Sequence, residues 1–424
     1  MSKFEFIENE TTQLTDEQKE ALTDLIDISD QIKRSIGLRF SPMQINGSTI
    51  RFNGIAANVK YKDIELIVRP KVINNAISSK EQMRTLYLRI LKTSRANLNS
   101  VVYFTSMSSA IMDDETFIDC IAEYFYEKLA YVMKKLPIVV YYQKEEKRIS
   151  IKGKVLIQKE LKTPLKDGKT WCRYKYLSKD NQYNALLKWC CSYFSARVSS
   201  RSLKRKLNKL IEDLEGDIAL LTKEIVKTSR LPRNYDIYKD PYKVAKDIFL
   251  YSKATTTFRQ SNDICGYVIN METAFQNIVC YYTNRVSIEK KLFHVPQADI
   301  LLASSDRDDD LDYHIRPDDL LVKGENKLIL DAKYKNISVG EKPSREDFYQ
   351  MLASCVAHNT HEAMLIYPQG DTNGYTGGNW KIVNPLNGEH CKIYAEGIDI
   401  FSDDQTIITQ LNDVIMKSDF SEEC

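Results

Sequence analysis

Asp318, Asp331 and Lys333 are the residues of this 424-residue chain whose types and spacing could do chemistry together. Asp331-Ala332-Lys333 closes the apolar run Leu328-Ile329-Leu330. Side chains alternate across a strand, so Asp331 and Lys333 share a face while Ala332 points the other way. Pro317-Asp318 opens the preceding run, Leu320-Leu321-Val322, and Gly324-Glu325-Asn326 lies between the two. Two apolar runs around such a turn predict a β-hairpin. Asp318 can then meet the pair from the neighbouring strand. Two carboxylates and an ammonium at one sheet edge can hold Mg²⁺ and activate a water against a phosphodiester.

An acidic-apolar-basic triplet on a strand is most often a surface ion-pair pattern, and Asp-x-Lys alone says little. Pro-Asp, a hairpin-length gap and Asp-Ala-Lys together match the PD-(D/E)xK nuclease pattern. The surrounding elements fit it. The sequence predicts a helix over 271–286, strands over 288–293 and 299–303, the hairpin, a helix over 344–358 and a strand over 363–367. That order suits a restriction-endonuclease-like α/β core. Gln350 on the second helix could reach the metal or a DNA phosphate, or be a solvated polar residue. Glu272 and Gln276, four apart on the first helix, share a face. Glu272 could complete metal coordination and Gln276 offer a carbonyl oxygen; both could equally be surface residues. Lys335 shares the strand face of Lys333 and could contact phosphate, or simply face solvent.

Charge and composition exclude several classes. Sixty basic and 58 acidic residues leave a net charge of +2, so any DNA surface must be a local patch. Arg201, Lys204, Arg205, Lys206 and Lys209 alternate with Leu203, Leu207 and Leu210, one basic face on an amphipathic helix. DNA contact is the minority reading of such a face; most are simply solvated. Gly168-Lys169-Thr170 ends like a phosphate-binding loop, but Thr163 stands where that loop needs glycine. A nucleotide, if one matters, is expected on another subunit. His358 and His361 have no companion ligands for zinc. The nine cysteines contain no Cys-x-x-Cys, and neither a signal-peptide pattern nor a membrane-length apolar run is present. A reduced, cytoplasmic protein without disulfides, structural zinc or membrane contact is expected.

The chain reads as three regions: 1–110, a small α+β domain; 111–255, a mainly helical middle domain or connector; and 256–424, the α/β nuclease domain. Thr15 and Gln18 predict a capping box on a helix over 16–35. Lys144–Arg148 is expected to be a charged turn between two strands, and 159–175 a loop.

Several further segments, in order, resemble the McrC family, nuclease subunits of modification-dependent restriction systems. These are Gly54-Ile-Ala-Ala-Asn-Val with Ile64-Glu-Leu-Ile-Val-Arg-Pro-Lys71; Ile151-Lys-Gly-Lys154; Cys172-Arg-Tyr; Asp180-Asn-Gln-Tyr-Asn184; Ile269-Asn-Met-Glu-Thr-Ala-Phe275; Arg316-Pro-Asp318; Leu330 to Lys335; Asp347-Phe-Tyr-Gln350; and Leu365-Ile-Tyr-Pro368. Together they span about residues 50–370. Gln276 stands where the family pattern has Glu, and Ser354 where Tyr often follows Gln350. The resemblance implies a DNA endonuclease using Mg²⁺, with Mn²⁺ able to substitute. Asp318 and Asp331 would be the ligands, and Lys333 would orient water. It implies a hetero-oligomeric complex with a McrB-like AAA+ GTPase motor. The N-terminal region would dock on that motor and stimulate it, and the motor would recognise the modified base. The alternatives are a non-cleaving adaptor of an AAA+ NTPase and a stand-alone metal-dependent nuclease.

Overall fold

The hairpin is present where the spacing places it. Strands Asp319–Lys323 and Asn326–Ala332 pair antiparallel, with Gly324 left-handed (φ 60°) in the turn. The computed structural model describes residues 2–23, 25–35, 38, 40–61, 64–73, 79–94, 101–104, 115–162, 168–254, 264–304, 312–337, 341–369, 377–383 and 390–418. Two compact units form: Met1–Phe117 with Gln260–Cys424, and Ile118–Arg259.

In the first unit the hairpin is the centre of a six-stranded sheet. Its order is Phe293–Pro296, Asp319–Lys323, Asn326–Ala332, Glu362–Gln369, His390–Asp399, Gly378–Val383. Asn326–Ala332 and Glu362–Gln369 run parallel, which requires a crossover, and helix Arg345–His358 supplies it. Glu362–Gln369 is buried along nearly its whole length, as a strand with parallel neighbours on both sides must be. Leu320, Ile329, Leu365 and Ile393 form the core under this helix with its Met351 and Cys355. Ser344 caps the helix by accepting from Asp347 N at 3.2 Å, and Asn359 (φ 49°) ends it. The strand expected from Ile288 begins instead at Phe293. Helix Met271–Lys290 continues because Ile278, Tyr282 and Val286 keep the buried period going, and Lys291 (φ 56°) terminates it.

The second sheet of this unit has the order Ser2–Ile7, Ile64–Arg69, Ile55–Tyr61, Ile264–Asn270, Val101–Phe104. Residues 1–110 and 256–424, which the sequence reading separates, meet in this sheet. Ile55–Tyr61 is buried at every position and needs a partner on each side; Ile264–Asn270 supplies one of them, antiparallel. That strand then runs directly into helix Met271–Lys290, whose first residue donates from its N to Gly54 O at 3.0 Å. Gly266 makes the close approach possible. With φ at 137°, a Cβ there would lie 2.0 Å from Asn58 O. Gly266→Ala is therefore expected to lower stability by about 2–4 kcal/mol, the scale of strained backbone and core overpacking. Thermal unfolding measures it; a melting temperature equal to the wild type would contradict the close approach.

Thr15 and Gln18 form the expected capping box: Thr15 N donates to Gln18 Oε1 (3.0 Å) and Gln18 N to Thr15 Oγ1 (3.2 Å). The single helix expected over 16–35 is two, Asp16–Thr23 and Ile26–Ser35.

In the second unit, the charged run Lys144–Arg148 is not a turn. It lies inside strand Val140–Arg148, paired antiparallel with Thr170–Ser178, part of which was expected to be a loop. Ion pairs and hydrogen bonds, not apolar burial, hold the ladder. Arg173 Nε reaches Glu145 Oε1 at 2.6 Å, and Tyr174 Oη donates to Glu146 Oε1 at 2.6 Å. Lys159 of helix Ile157–Lys162 also binds Glu145 (2.6 Å). A polarity pattern misreads such a strand, because nothing in it alternates with a buried face.

Candidate active site

Asp331 is the penultimate residue of its strand and Lys333 follows the strand's end. Lys333 N still donates to Ile366 O at 2.8 Å, keeping it in the parallel pairing. Asp318 precedes the adjacent strand, and its Oδ2 accepts from Ala332 N at 2.8 Å, which locks it against Asp331. Lys333 Nζ stands 2.5 Å from Asp331 Oδ2 and donates to Gln350 Oε1 at 2.8 Å. The structure thus brings Asp318, Asp331, Lys333 and Gln350 together. Asp331 is buried and Asp318 is half-buried. Burial first, and then the neighbouring Asp331 charge, push the Asp318 carboxyl up to about 7. Burial raises Asp331 too, against the pull of Lys333. Two carboxylates that repel each other, with one ammonium beside them, are a donor set suited to a hard divalent cation.

Lys335 is engaged elsewhere, at 2.9 and 2.8 Å from the two carboxylate oxygens of buried Asp347, an ion pair one turn from Gln350. Glu272, on the first turn of its helix, is exposed and stands beside Gly54. Its charge acts on Glu8 and Lys71. Among the described residues no hydrogen bond joins Glu272 or half-buried Gln276 to the aspartates. Arg201, Lys204, Arg205 and Lys209 are exposed on helix Arg201–Asp213, whose Leu203, Leu207 and Leu210 are buried. They belong to the second unit.

Two groups were given no role in the sequence, although Lys71 closes the Ile64–Lys71 segment that carries the family resemblance. Lys71 and Glu8, far away in sequence, close on Tyr334 beside the site. Behind Asp318, the fully buried Asp319 accepts at Oδ1 from His294 Nε2 at 2.6 Å, while His294 Nδ1 stands 3.3 Å from Asn284 Oδ1. Cys280 lies with His294 and Asp319 in a set whose ligand atoms are within 4.8 Å of one another. Both imidazole nitrogens have polar partners, so the group ties helix Met271–Lys290 to two strands and braces the Asp318 segment. Cys120, Cys172, Cys190, Cys191, Cys280, Cys355 and Cys391 are free thiols. Among the described residues no helix is long and apolar enough to cross a membrane.

Fold and site define a mixed α/β protein of two units, with an aspartate pair and a lysine at the end of a central strand. The chain belongs to the family of McrBC 5-methylcytosine restriction system components, whose model matches residues 50–368. The fold is similar to that of a chain in the refined half-complex from a tetradecameric assembly of Thermococcus gammatolerans McrB AAA+ hexamers with bound McrC. The TM-score is 0.64 at 14% identity, covering 97% of this chain and 100% of that one. A chain of the Thermococcus gammatolerans McrBC complex also matches, with a TM-score of 0.46 at 13% identity over 67% of this chain and 88% of that one. No curated protein matches.

Proposed function

We propose that this chain is the metal-dependent DNA endonuclease subunit of an McrBC-like restriction complex, working in the cytoplasm with an AAA+ GTPase motor. The observation that supports it is the convergence of Asp318, Asp331 and Lys333 at one strand end, with Gln350 bonded to the lysine. The six-stranded sheet and its helices are read as a PD-(D/E)xK core. Asp318 and Asp331 would hold Mg²⁺ or Mn²⁺, which when bound supplies Lewis-acid activation of water and of the scissile phosphate. Lys333 orients the water and offers its charge to the phosphorane-like transition state. Gln350 fixes the Lys333 rotamer. Asp347 neutralises Lys335, which leaves Lys333 as the ammonium directed at the site. Glu272 and Gln276, on the preceding helix, would join the site only if metal or DNA draws them in. The exposed Arg201, Lys204, Arg205 and Lys209 track DNA phosphates.

Within this reading residues 1–110 dock on the motor, 111–255 connect and 256–424 cleave. The motor binds nucleotide and selects modified DNA. The second unit offers another surface for the motor: Tyr141 and Leu177 are cross-strand partners, exposed 68% and 52%. A non-cleaving adaptor is the second reading, and the position of Glu272 and Gln276 outside the hydrogen-bonded group favours it.

Mild affinity purification from native cells, with mass spectrometry, tests the assignment. An AAA+ protein with a phosphate-binding loop is expected to co-purify, and its GTP hydrolysis to rise when this chain is added. Its contacts should cross-link to 1–110; cross-links confined to 118–259 would move the docking site to the second unit. Recovery of no motor, with metal-dependent cutting by the isolated chain, would replace the complex with a stand-alone nuclease.

A further inference from the structure

The carbonyl of Tyr334, immediately after Lys333, has left the sheet. Lys335 N bonds back to Lys333 O at 2.8 Å, the i→i+2 closure of a tight turn. Lys71 Nζ meets that carbonyl at 2.7 Å. Lys71 lies just beyond strand Ile64–Arg69, and its ammonium is 4.2 Å from the centroid of the Tyr334 ring. Its own carbonyl accepts from Asn336 Nδ2 at 3.3 Å. Glu8, just beyond strand Ser2–Ile7, completes the group. Its Oε2 accepts from Tyr334 Oη (2.9 Å) and from Lys71 N (3.2 Å), and its Oε1 is 4.0 Å from Lys71 Nζ.

Glu8 has no side-chain exposure and Lys71 has 12%. Burial pushes Glu8 up to about 7 and draws Lys71 down from the usual lysine range. A buried ion pair of this kind is a weak source of stability. It does have one geometric consequence: two strand ends of the N-terminal sheet grip both the carbonyl and the ring of the residue that follows Lys333. A displacement of about 1 Å at a catalytic group can cost a hundredfold in rate.

We propose, resting on the nuclease reading above, that Lys71 is a positioning residue. It holds Asp331 and Lys333 in place through the Tyr334 carbonyl.

The test uses the full chain reassembled with its motor. The variants are Lys71→Met, Lys71→Arg, Glu8→Gln with Lys71→Met, and Asp331→Asn. Lys71→Met keeps the stem over the tyrosine ring and removes the donor. It is expected to slow cleavage by roughly 10- to 100-fold and to raise the Mn²⁺ concentration needed for half-maximal cutting. Stimulation of motor GTP hydrolysis should stay at the wild-type level. Lys71→Arg should restore most of the rate. If Lys71→Met fails to fold because Glu8 is left unpaired, the double variant, which buries no charge there, is read in its place. Cleavage at the wild-type rate and Mn²⁺ requirement, while Asp331→Asn is inactive, would overturn the proposal. So would a loss of rate that follows the melting temperature with the Mn²⁺ requirement unchanged. Normal cleavage by Asp331→Asn would remove the nuclease reading and this inference with it.

Discussion

Asp331→Ala or Lys333→Ala is expected to lower DNA cleavage by the assembled complex by about a thousandfold or to background, the scale of losing a group aimed at developing charge. The two losses differ in origin. Asp331→Ala removes one of two carboxylates from a set that is already small, and Asp318 alone binds a divalent ion weakly. Lys333→Ala leaves both carboxylates and should retain metal, but it removes the charge beside the reacting phosphate. It also frees Gln350, whose Oε1 accepts from Lys333 at 2.8 Å. Neither change opens the core, because both side chains sit at a strand end. Co-purification with the motor and stimulation of its GTP hydrolysis should therefore survive. Gel assays on modified plasmid with Mg²⁺ decide the matter. Normal cutting by both variants would sink the site assignment; strong motor stimulation with no cutting by the wild type would favour the adaptor reading.

The second large effect is the pH dependence of metal binding. Asp318 is raised from 3.8 to about 7 and Asp331 is raised with it, so the metal-free pair holds a proton where a free carboxyl would not. A folded-state pKa above the unfolded value contributes stability that is complete below about pH 4. That contribution is lost as pH rises through about 7. The metal-free protein should lose stability over this window. A cation must displace the same proton, so its apparent affinity falls by about tenfold per pH unit below 7 for each proton released. Mn²⁺ at a hundred times its dissociation constant adds about 2.7 kcal/mol of stability. The rise in melting temperature on adding Mn²⁺ should be about threefold smaller at pH 5.5 than at pH 8. Asp331→Asn should abolish it. Equal shifts at both pH values would count against the carboxylate pair as the binding site.

The sequence by itself determined the local parts of this protein. The Gly324 turn between two apolar runs dictated the hairpin, and alternation along Leu328–Lys333 placed Asp331 and Lys333 on one face. Thr15 with Gln18 wrote its helix start into the chain, since caps act over three residues. Gln350 was legible for the same reason: one helix follows one strand at crossover distance.

Only the tertiary structure decided what depends on pairing between distant segments. Strand Ile264–Asn270 could belong to the nuclease segment or to the N-terminal sheet. The two-sided burial of Ile55–Tyr61 settled it. The Val140–Arg148 strand is held by charges on another strand, which no hydrophobic period reveals. Lys71 and Glu8 carry no chemistry in their own sequence context. They matter because the turn after Lys333 leaves a carbonyl without a ladder partner, and the fold brings Lys71 there to satisfy it.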